Sequence, residues 1–293
     1  MPIRFSKLKP GRMGLLCALA IWLALAIAGC THVTCSECNY GEFTLASSEH
    51  PSSSQPPFPP LIYAHQRADS DYRHIYLEGD GNAWHKGRVP SVNPTSRQKL
   101  ALKLMMLDHN DSLYLNRPCY GYKAMPKPCS NRWWTNARYG EAIVEAMSEA
   151  LDGLQAQLGQ KPLVLIGHSG GGALAVLIAQ RRSDVQGVIT LAGNLAPHQW
   201  AKHHGYLSLE GSLTPAPKKL PAAILQWHFA GVEDSNVPRV LIESALQGAT
   251  GAEFKSVKGN HTCCWHKHWP SILEQLDAAL AHTPSAADDI THK

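Results

Sequence analysis

The residues best suited to chemistry are a serine and its neighbouring glycines in the segment 167–171, which reads GHSGG. An apolar run at 163–166 precedes this segment, and a run of small and aliphatic residues at 173–178 follows it. A serine on a sharp turn between a strand and a helix has a strained backbone, so its flanking positions need residues without bulk. The turn projects the hydroxyl, and the first N–H groups of the helix favour developing negative charge. The pattern therefore predicts that Ser169 is a nucleophile.

The same turn has two other interpretations, a phosphate-binding loop and a glycine-rich turn that only packs tightly. Nucleotide-binding loops use the spacing G-x-G-x-x-G or end in Gly-Lys-Ser/Thr, and residues 167–172 show neither pattern. The strand before the turn and the helix after it favour the nucleophile over both.

Short apolar runs alternate with longer helical patterns on both sides of this turn. The apolar runs predict strands near 61–64, 74–77, 112–115, 163–166, 185–191, 224–230 and 253–257. The helical patterns fall near 95–107, 138–158, 171–181, 239–246 and 271–281. This order predicts a mainly parallel sheet with helices on both faces. The stretch 192–221 interrupts the alternation, and we expect it to form a small irregular cap over the site.

From residue 61 to residue 281 the chain resembles the α/β-hydrolase family, whose serine, acid and histidine follow each other in that order. The segment 231–238, GVEDSNVP, is similar to the family's turn after its seventh strand, and it places the acid at Asp234. Glu233 is the neighbouring alternative, and a surface carboxylate is the non-catalytic one. The resemblance implies an α/β-hydrolase fold and no cofactor.

The turn Gly259-Asn260-His261 is like the family's glycine–histidine turn before the final helix, which places the general base at His261. Because His266, His268 and the pair Cys263-Cys264 follow closely, a metal cluster or a disulfide-stapled loop is an alternative for this run. Its spacing matches no standard zinc pattern, so we expect no metal. His168, inside the serine turn, is expected to face away from the base.

Acyl chemistry at a serine also needs two N–H donors for the oxyanion. The segment 78–81, EGDG, resembles the family's H-G-x-G loop with Glu in place of His, and it implies that the N–H of Asp80 acts together with that of Gly170. Carboxylates at positions 78 and 80 depart from the pattern and weigh against strong binding of anionic substrates. Five residues on predicted loops are candidates for lining a pocket, with simple packing as the alternative: Arg117, Tyr120, Trp133, Trp134 and Trp200.

The N-terminal segment has the layout of an export signal. Residues 1–12 contain four basic residues and no acid, and residues 13–29 are uncharged. That stretch is shorter than a typical membrane-spanning helix, which has about 20 apolar residues. An uncleaved anchor helix is the alternative. The sequence Ile27-Ala28-Gly29-Cys30 resembles the lipobox of bacterial lipoproteins. It implies cleavage before Cys30, a lipid on that cysteine, and an envelope location; Thr31 favours the outer membrane, facing the periplasm.

The formal net charge of +4 at pH 7 equals the basic residues of that signal, so the remaining chain is neutral overall. Nucleic-acid binding needs clustered Lys and Arg and is not expected. The eight cysteines agree with an oxidising compartment. Cys119 and Cys129, which close a short loop rich in Pro and Gly, are the preferred disulfide pair, and the connectivity of the other cysteines stays open.

These assignments predict a signal peptide over 1–29, a lipidated Ser/Pro-rich tether over 30–60, an α/β-hydrolase domain over 61–282 and a disordered tail over 283–293. The resemblance implies hydrolysis of a small or lipid-like acyl ester through an acyl-enzyme. A peptidase, thioesterase or depolymerase on the same three residues is the first alternative, and a non-catalytic binding lipoprotein of the envelope is the second. The sequence does not indicate an oligomeric state.

Overall fold

The computed structural model describes residues 41–43, 62–65, 70–85, 89–127 and 129–281. Contacts divide the chain into Met1–Ser36 and Glu37–Lys293, and all described residues belong to the second unit. The predicted signal peptide, the lipidation site Cys30 and the predicted tail lie outside the described residues. No helix in the described part of the chain has the length and apolar character needed to cross a membrane.

An eight-stranded sheet forms the centre of the described unit. In spatial order its strands are β1 (Gly41–Phe43), β2 (Ile62–His65), β6 (Asp111–Leu115), β3 (Arg73–Leu77), β7 (Leu163–His168), β8 (Val185–Leu191), β9 (Leu225–Gly231) and β10 (Ala252–Val257). The six strands from β6 to β10 in this order pair in parallel, whereas β1 and β2 pair antiparallel at one edge. Two short strands, β4 (Trp84–His85) and β5 (Val89–Pro90), form a separate ribbon. The predicted mainly parallel sheet is confirmed.

Helices cover both faces of this sheet. The described residues form α1 (Leu100–Met105), α2 (Glu141–Leu158), α3 (Gly170–Ala179), α4 (Pro197–His203), α5 (Arg239–Ala245) and α6 (Trp265–Ala281), with short 3-10 turns at Asn131–Trp133 and Pro217–Lys219. Successive strand residues point to opposite faces. Accordingly Ile75 and Leu165 pack with α2 and α3, whereas Tyr76 and Ile166 pack with α1 and α6.

Strand β1 and helices α1 and α6 differ from the sequence expectations. Strand β1 lies inside the predicted tether, where three residues are too few to show an alternating pattern. Helix α1 is shorter than the pattern at 95–107, because Lys99 before it has a left-handed backbone. Helix α6 begins six residues before the predicted start and includes Pro270, since Trp265 and Trp269 bury its first turns against the sheet.

Candidate active site

Strand β7 leads directly into Ser169, and α3 begins at the next residue. The backbone of Ser169 has φ 54° and ψ −120°, a strained conformation for a residue with a side chain. A Cβ atom on Gly167 would lie 2.3 Å from the carbonyl oxygen of Gly171, and one on Gly171 would lie 2.1 Å from that of Leu77. The glycines are therefore required for the chain to make this turn.

Hydrogen bonds join Ser169, His261 and Asp234 into one chain. The Nε2 atom of His261 lies 3.0 Å from the Oγ of Ser169, and its Nδ1 lies 2.8 Å from the Oδ2 of Asp234. The three residues follow the carboxyl ends of β7, β10 and β9, which a parallel sheet brings to one edge. With the proton on Nδ1 donated to Asp234, Nε2 can accept the proton of the Ser169 hydroxyl.

The carboxylate of Asp234 is held rigidly. Its Oδ1 accepts hydrogen bonds from the N–H groups of Asn236 at 2.8 Å and Val237 at 2.9 Å. The Asp234 side chain is fully buried, whereas that of His261 is 18% exposed towards the cavity. Glu233, the alternative acid, is exposed and takes no part in this arrangement.

The loop after β3 lies against the serine turn. A Cβ atom on Gly79 would be 3.2 Å from the Cβ of Ser169, so the residue that precedes the N–H of Asp80 packs against the serine. Neither this N–H nor that of Gly170 donates to another group in the described part of the chain. Both N–H groups are therefore available to a bound oxyanion.

The carboxylate of Asp80 faces two arginines. It accepts hydrogen bonds from Arg117, Arg138 and the hydroxyl of Tyr139. Burial by itself raises the pKa of Asp80, but the charges of Arg138 and Arg117 outweigh burial and lower this pKa to about 2. Two positive charges face this one negative charge. The carboxylate at position 80 therefore does not weigh against the binding of anionic substrates.

His168 contacts the base instead of facing away from it, so that expectation is wrong. The Nε2–H of His168 donates to the carbonyl oxygen of His261 at 2.8 Å, and the two ring centroids are 4.9 Å apart. Burial, and then the charge of His261, lower the pKa of His168 to about 3. Glu78 lies on the other side of this ring, with Oε1 3.9 Å from Nδ1, and burial raises its pKa to about 7.

A cavity of about 830 Å³ opens above Ser169. The stretch predicted as a cap forms one of its walls through Trp200, Tyr206 and Leu209. Of the five candidate lining residues, Trp200 contacts the cavity. The other four are buried in the surrounding packing: Arg117, Tyr120, Trp133 and Trp134.

The structure pairs Cys119 with Cys129 in a disulfide, and it also pairs the neighbours Cys263 and Cys264 just after the base. Within the described ranges no group of three or more His, Cys, Asp or Glu residues is arranged to hold a metal ion. His268, one of the candidate ligands, instead lies with Nε2 2.8 Å from the carbonyl oxygen of Lys258.

Known proteins show similarity to part of the chain and to its fold. The sn-1-specific diacylglycerol lipase ABHD11 of Mus musculus is 56% identical over 141 residues, which are 48% of this chain and 44% of that protein. The chain thus spans less than half the length of this curated relative.

Two solved structures have a similar fold. An esterase of Pyrococcus furiosus superposes with a TM-score of 0.56 at 11% identity, covering 84% of this chain and 93% of that one. A lipase-esterase related protein of Clostridium acetobutylicum gives a TM-score of 0.54 at 12% identity, covering 75% and 99%. A family model described as the alpha/beta hydrolase fold matches residues 59–210, which is more than half of the chain. The chain therefore belongs to the α/β-hydrolase fold family.

Proposed function

We propose that this protein is a serine hydrolase that cleaves a carboxylic ester through an acyl-enzyme. The observation that carries the proposal is the continuous hydrogen-bond chain from Ser169 through His261 to Asp234, at 3.0 Å and 2.8 Å. A nucleophile, a base within reach of its proton and a buried carboxylate that orients the base are the parts this reaction needs.

In the proposed reaction the Oγ of Ser169 attacks the ester carbonyl while Nε2 of His261 takes its proton. His261 then donates that proton to the departing alcohol, leaving the acyl group on Ser169. A water molecule, deprotonated by the same histidine, attacks the acyl-enzyme; the histidine then returns this proton to the Oγ of Ser169 as the bond to the acyl group breaks and the acid leaves. Asp234 fixes the tautomer of His261 and stabilises its charged form in both steps.

The N–H groups of Gly170 and Asp80 are the proposed oxyanion donors. Gly170 follows the nucleophile at the first position of α3, where the N–H has no intrahelical partner. The side chain of Asp80 is held in place by its hydrogen bonds with Arg117, Arg138 and Tyr139. Two fixed donors stabilise the tetrahedral intermediate without reorganisation, and in comparable sites each contributes about 3 to 4 kcal/mol.

An ester is the favoured substrate class, because the matched mouse protein is named a lipase and the two structural neighbours an esterase and a lipase-esterase related protein. The cavity of about 830 Å³ has room for a small or lipid-like acyl chain. Peptide, thioester and polymer substrates would use the same three residues and are the alternatives within the class.

A fluorophosphonate probe tests the proposal directly. We expect it to label the wild-type protein at Ser169 and not the Ser169→Ala variant. In parallel, hydrolysis of short and long p-nitrophenyl esters should fall by roughly 10⁴- to 10⁶-fold in Ser169→Ala. Equal rates in wild type, Ser169→Ala and His261→Ala would overturn the proposal and support a non-catalytic binding lipoprotein.

We also propose that residues 1–29 are removed on export, that Cys30 is lipidated, and that residues 30–60, apart from β1, tether the domain at residues 61–282 to the envelope. The basis is the sequence from Ile27 to Cys30. Mass spectrometry of the mature protein should find an acylated Cys30 at the N-terminus, and Cys30→Ala should abolish lipid labelling. A mature N-terminus elsewhere would contradict this anchoring.

A further inference from the structure

Three charged side chains beside the serine turn do not cancel. The side chains of Arg117 and Arg138 are buried and that of Asp80 is 14% exposed, and the two arginines exceed the carboxylate by one positive charge. The carboxylate lies at the turn itself, because a Cβ atom on Gly170 would be 2.2 Å from its Oδ1. The two arginines therefore contact a carboxylate that itself lies beside Gly170, the residue that follows Ser169.

Arg117 is buried and does not line the cavity, and its Nε has no hydrogen-bond partner within the described residues. Its Nη1 donates to the Oδ1 of Asp80 at 2.5 Å, and its Nη2 donates to the carbonyl oxygen of Arg138 at 2.6 Å. The aromatic rings of Tyr120 and Tyr139 lie 4.8 Å and 5.6 Å from its Cζ. Its single positive charge equals the single negative charge of Asp80, so the charge of Arg138 is in excess.

Of the two arginines, Arg138 is the one that lines the cavity, and it has an unused donor there. Its Nε donates to the carbonyl oxygen of Thr135 at 2.7 Å, and its Nη1 donates to the Oδ2 of Asp80 at 3.1 Å. Its Nη2 has no acceptor among the residues that the structure describes. Arg138 is only 3% exposed, yet it lines the cavity above Ser169, with its Cζ 5.9 Å from the ring centre of Trp200.

Other acidic residues of the cavity do not occupy this donor. Glu78 faces the N–H groups of Gly79 and Ala101, on the side of the cavity next to His168. Glu210 is exposed at the rim. An incoming anion would thus find a largely desolvated guanidinium whose Nη2 amino group is free to donate, where a charge-assisted hydrogen bond is strong.

We propose that Arg138 binds a carboxylate carried by the ester substrate, so that the preferred substrates are half-esters of dicarboxylic acids or similar monoanionic esters. This inference rests on the proposed function. A monoanion is favoured over a phosphate dianion because the surplus of the cluster is one charge.

Matched pairs of methyl esters test the inference in a pH-stat. Monomethyl succinate, glutarate and adipate are compared with methyl butanoate, pentanoate and hexanoate, which have equal chain lengths and no charge. We expect kcat/KM to favour the anionic ester by more than about fivefold in at least one pair, mainly through KM. No pair above that ratio would overturn the inference.

Variants of Arg138 test whether this residue causes the preference for anionic esters. Arg138→Gln should bring the ratio close to one, whereas Arg138→Lys, which keeps the charge, should retain part of it. Arg239→Gln is the matched control, because Arg239 is an exposed arginine paired with Glu243, and it should leave the ratio unchanged. An unchanged ratio in Arg138→Gln would overturn the assignment.

A measurement on the wild type covers the case in which Arg138→Gln does not fold. Glutaramate, a monoanion of the same chain length, should inhibit methyl pentanoate hydrolysis competitively, and glutaramide, its neutral counterpart, should not. Equal inhibition by both would overturn the inference. If neutral esters are hydrolysed without any anionic preference, this inference fails alone, whereas a protein with no turnover and no fluorophosphonate labelling fails the proposed function itself.

Discussion

Two histidine–carboxylate pairs flank Ser169, and they differ in almost every property that matters for proton transfer. In the first pair, His261 and Asp234 are 2.8 Å apart, and the carboxylate also accepts two backbone N–H bonds. In the second pair, His168 and Glu78 are 3.9 Å apart. The first histidine reaches the serine hydroxyl, while the second donates its proton to a backbone carbonyl.

The difference shows how position selects the role of an imidazole. His261 keeps 18% of its side chain exposed and has an orienting partner, so it can change its charge during a reaction. His168 is buried, and burial lowers its pKa to about 3, so it stays neutral at physiological pH. A neutral histidine with a fixed donor can hold the loop of the base but cannot replace the base.

The largest effect should come from removing the base of the first pair. We expect His261→Ala to lower kcat/KM for an ester by roughly 10⁴- to 10⁶-fold, because no other group in the described part of the chain lies within hydrogen-bond distance of the Ser169 hydroxyl. Stopped assays with p-nitrophenyl esters and fluorophosphonate labelling measure this loss. If His168→Ala lost as much activity as His261→Ala while remaining folded, the two roles would have to be reassigned.

The carboxylate of the first pair should rank second. Asp234→Asn keeps the shape of the side chain but favours the wrong tautomer of His261, so we expect kcat to fall by about 10⁴-fold. Glu233→Gln, at the exposed neighbouring carboxylate, is the matched control and should stay within about twofold of wild type, since surface substitutions away from a site have small effects. A larger loss in Glu233→Gln than in Asp234→Asn would move the acid to position 233.

Local sequence indicates much of the candidate active site. The contacts that it does not indicate join residues far apart in the chain. The turn at Ser169 requires its glycines, and the turns at Asp234 and His261 resemble those of the α/β-hydrolase family, so each position could be named from the sequence together with that resemblance. Contacts of Arg117 and Arg138 with Asp80 could not be foreseen, because they join residues 37 and 58 positions apart and no periodic pattern encodes them. The orientation of His168 was mispredicted for the same reason.

The second pair should reveal itself through pH-dependent stability. Burial raises the pKa of Glu78 from 4.5 to about 7, so between these pH values the folded protein holds a proton that the unfolded chain has released. As pH rises from 4.5 to 7, the free energy of unfolding of wild type should therefore fall by about 3 kcal/mol more than that of Glu78→Gln, which has no carboxyl group to titrate at this position. Urea unfolding of both proteins at several pH values measures the difference, and parallel curves would contradict a buried, protonated Glu78.

The smallest effect is expected from His168, and it is the most informative about the comparison. His168→Ala removes the donor to the carbonyl of His261 but leaves Asp234 and Ser169 in place. We expect kcat to fall by about fivefold, with KM and fluorophosphonate labelling retained, because loss of one positioning hydrogen bond costs about 1 kcal/mol. The exposed His203 offers a matched control, since His203→Ala should leave kcat unchanged. A full loss of labelling in folded His168→Ala would mean that His168 takes part in proton transfer. An unchanged kcat would mean that the loop carrying His261 holds its position without the hydrogen bond from His168.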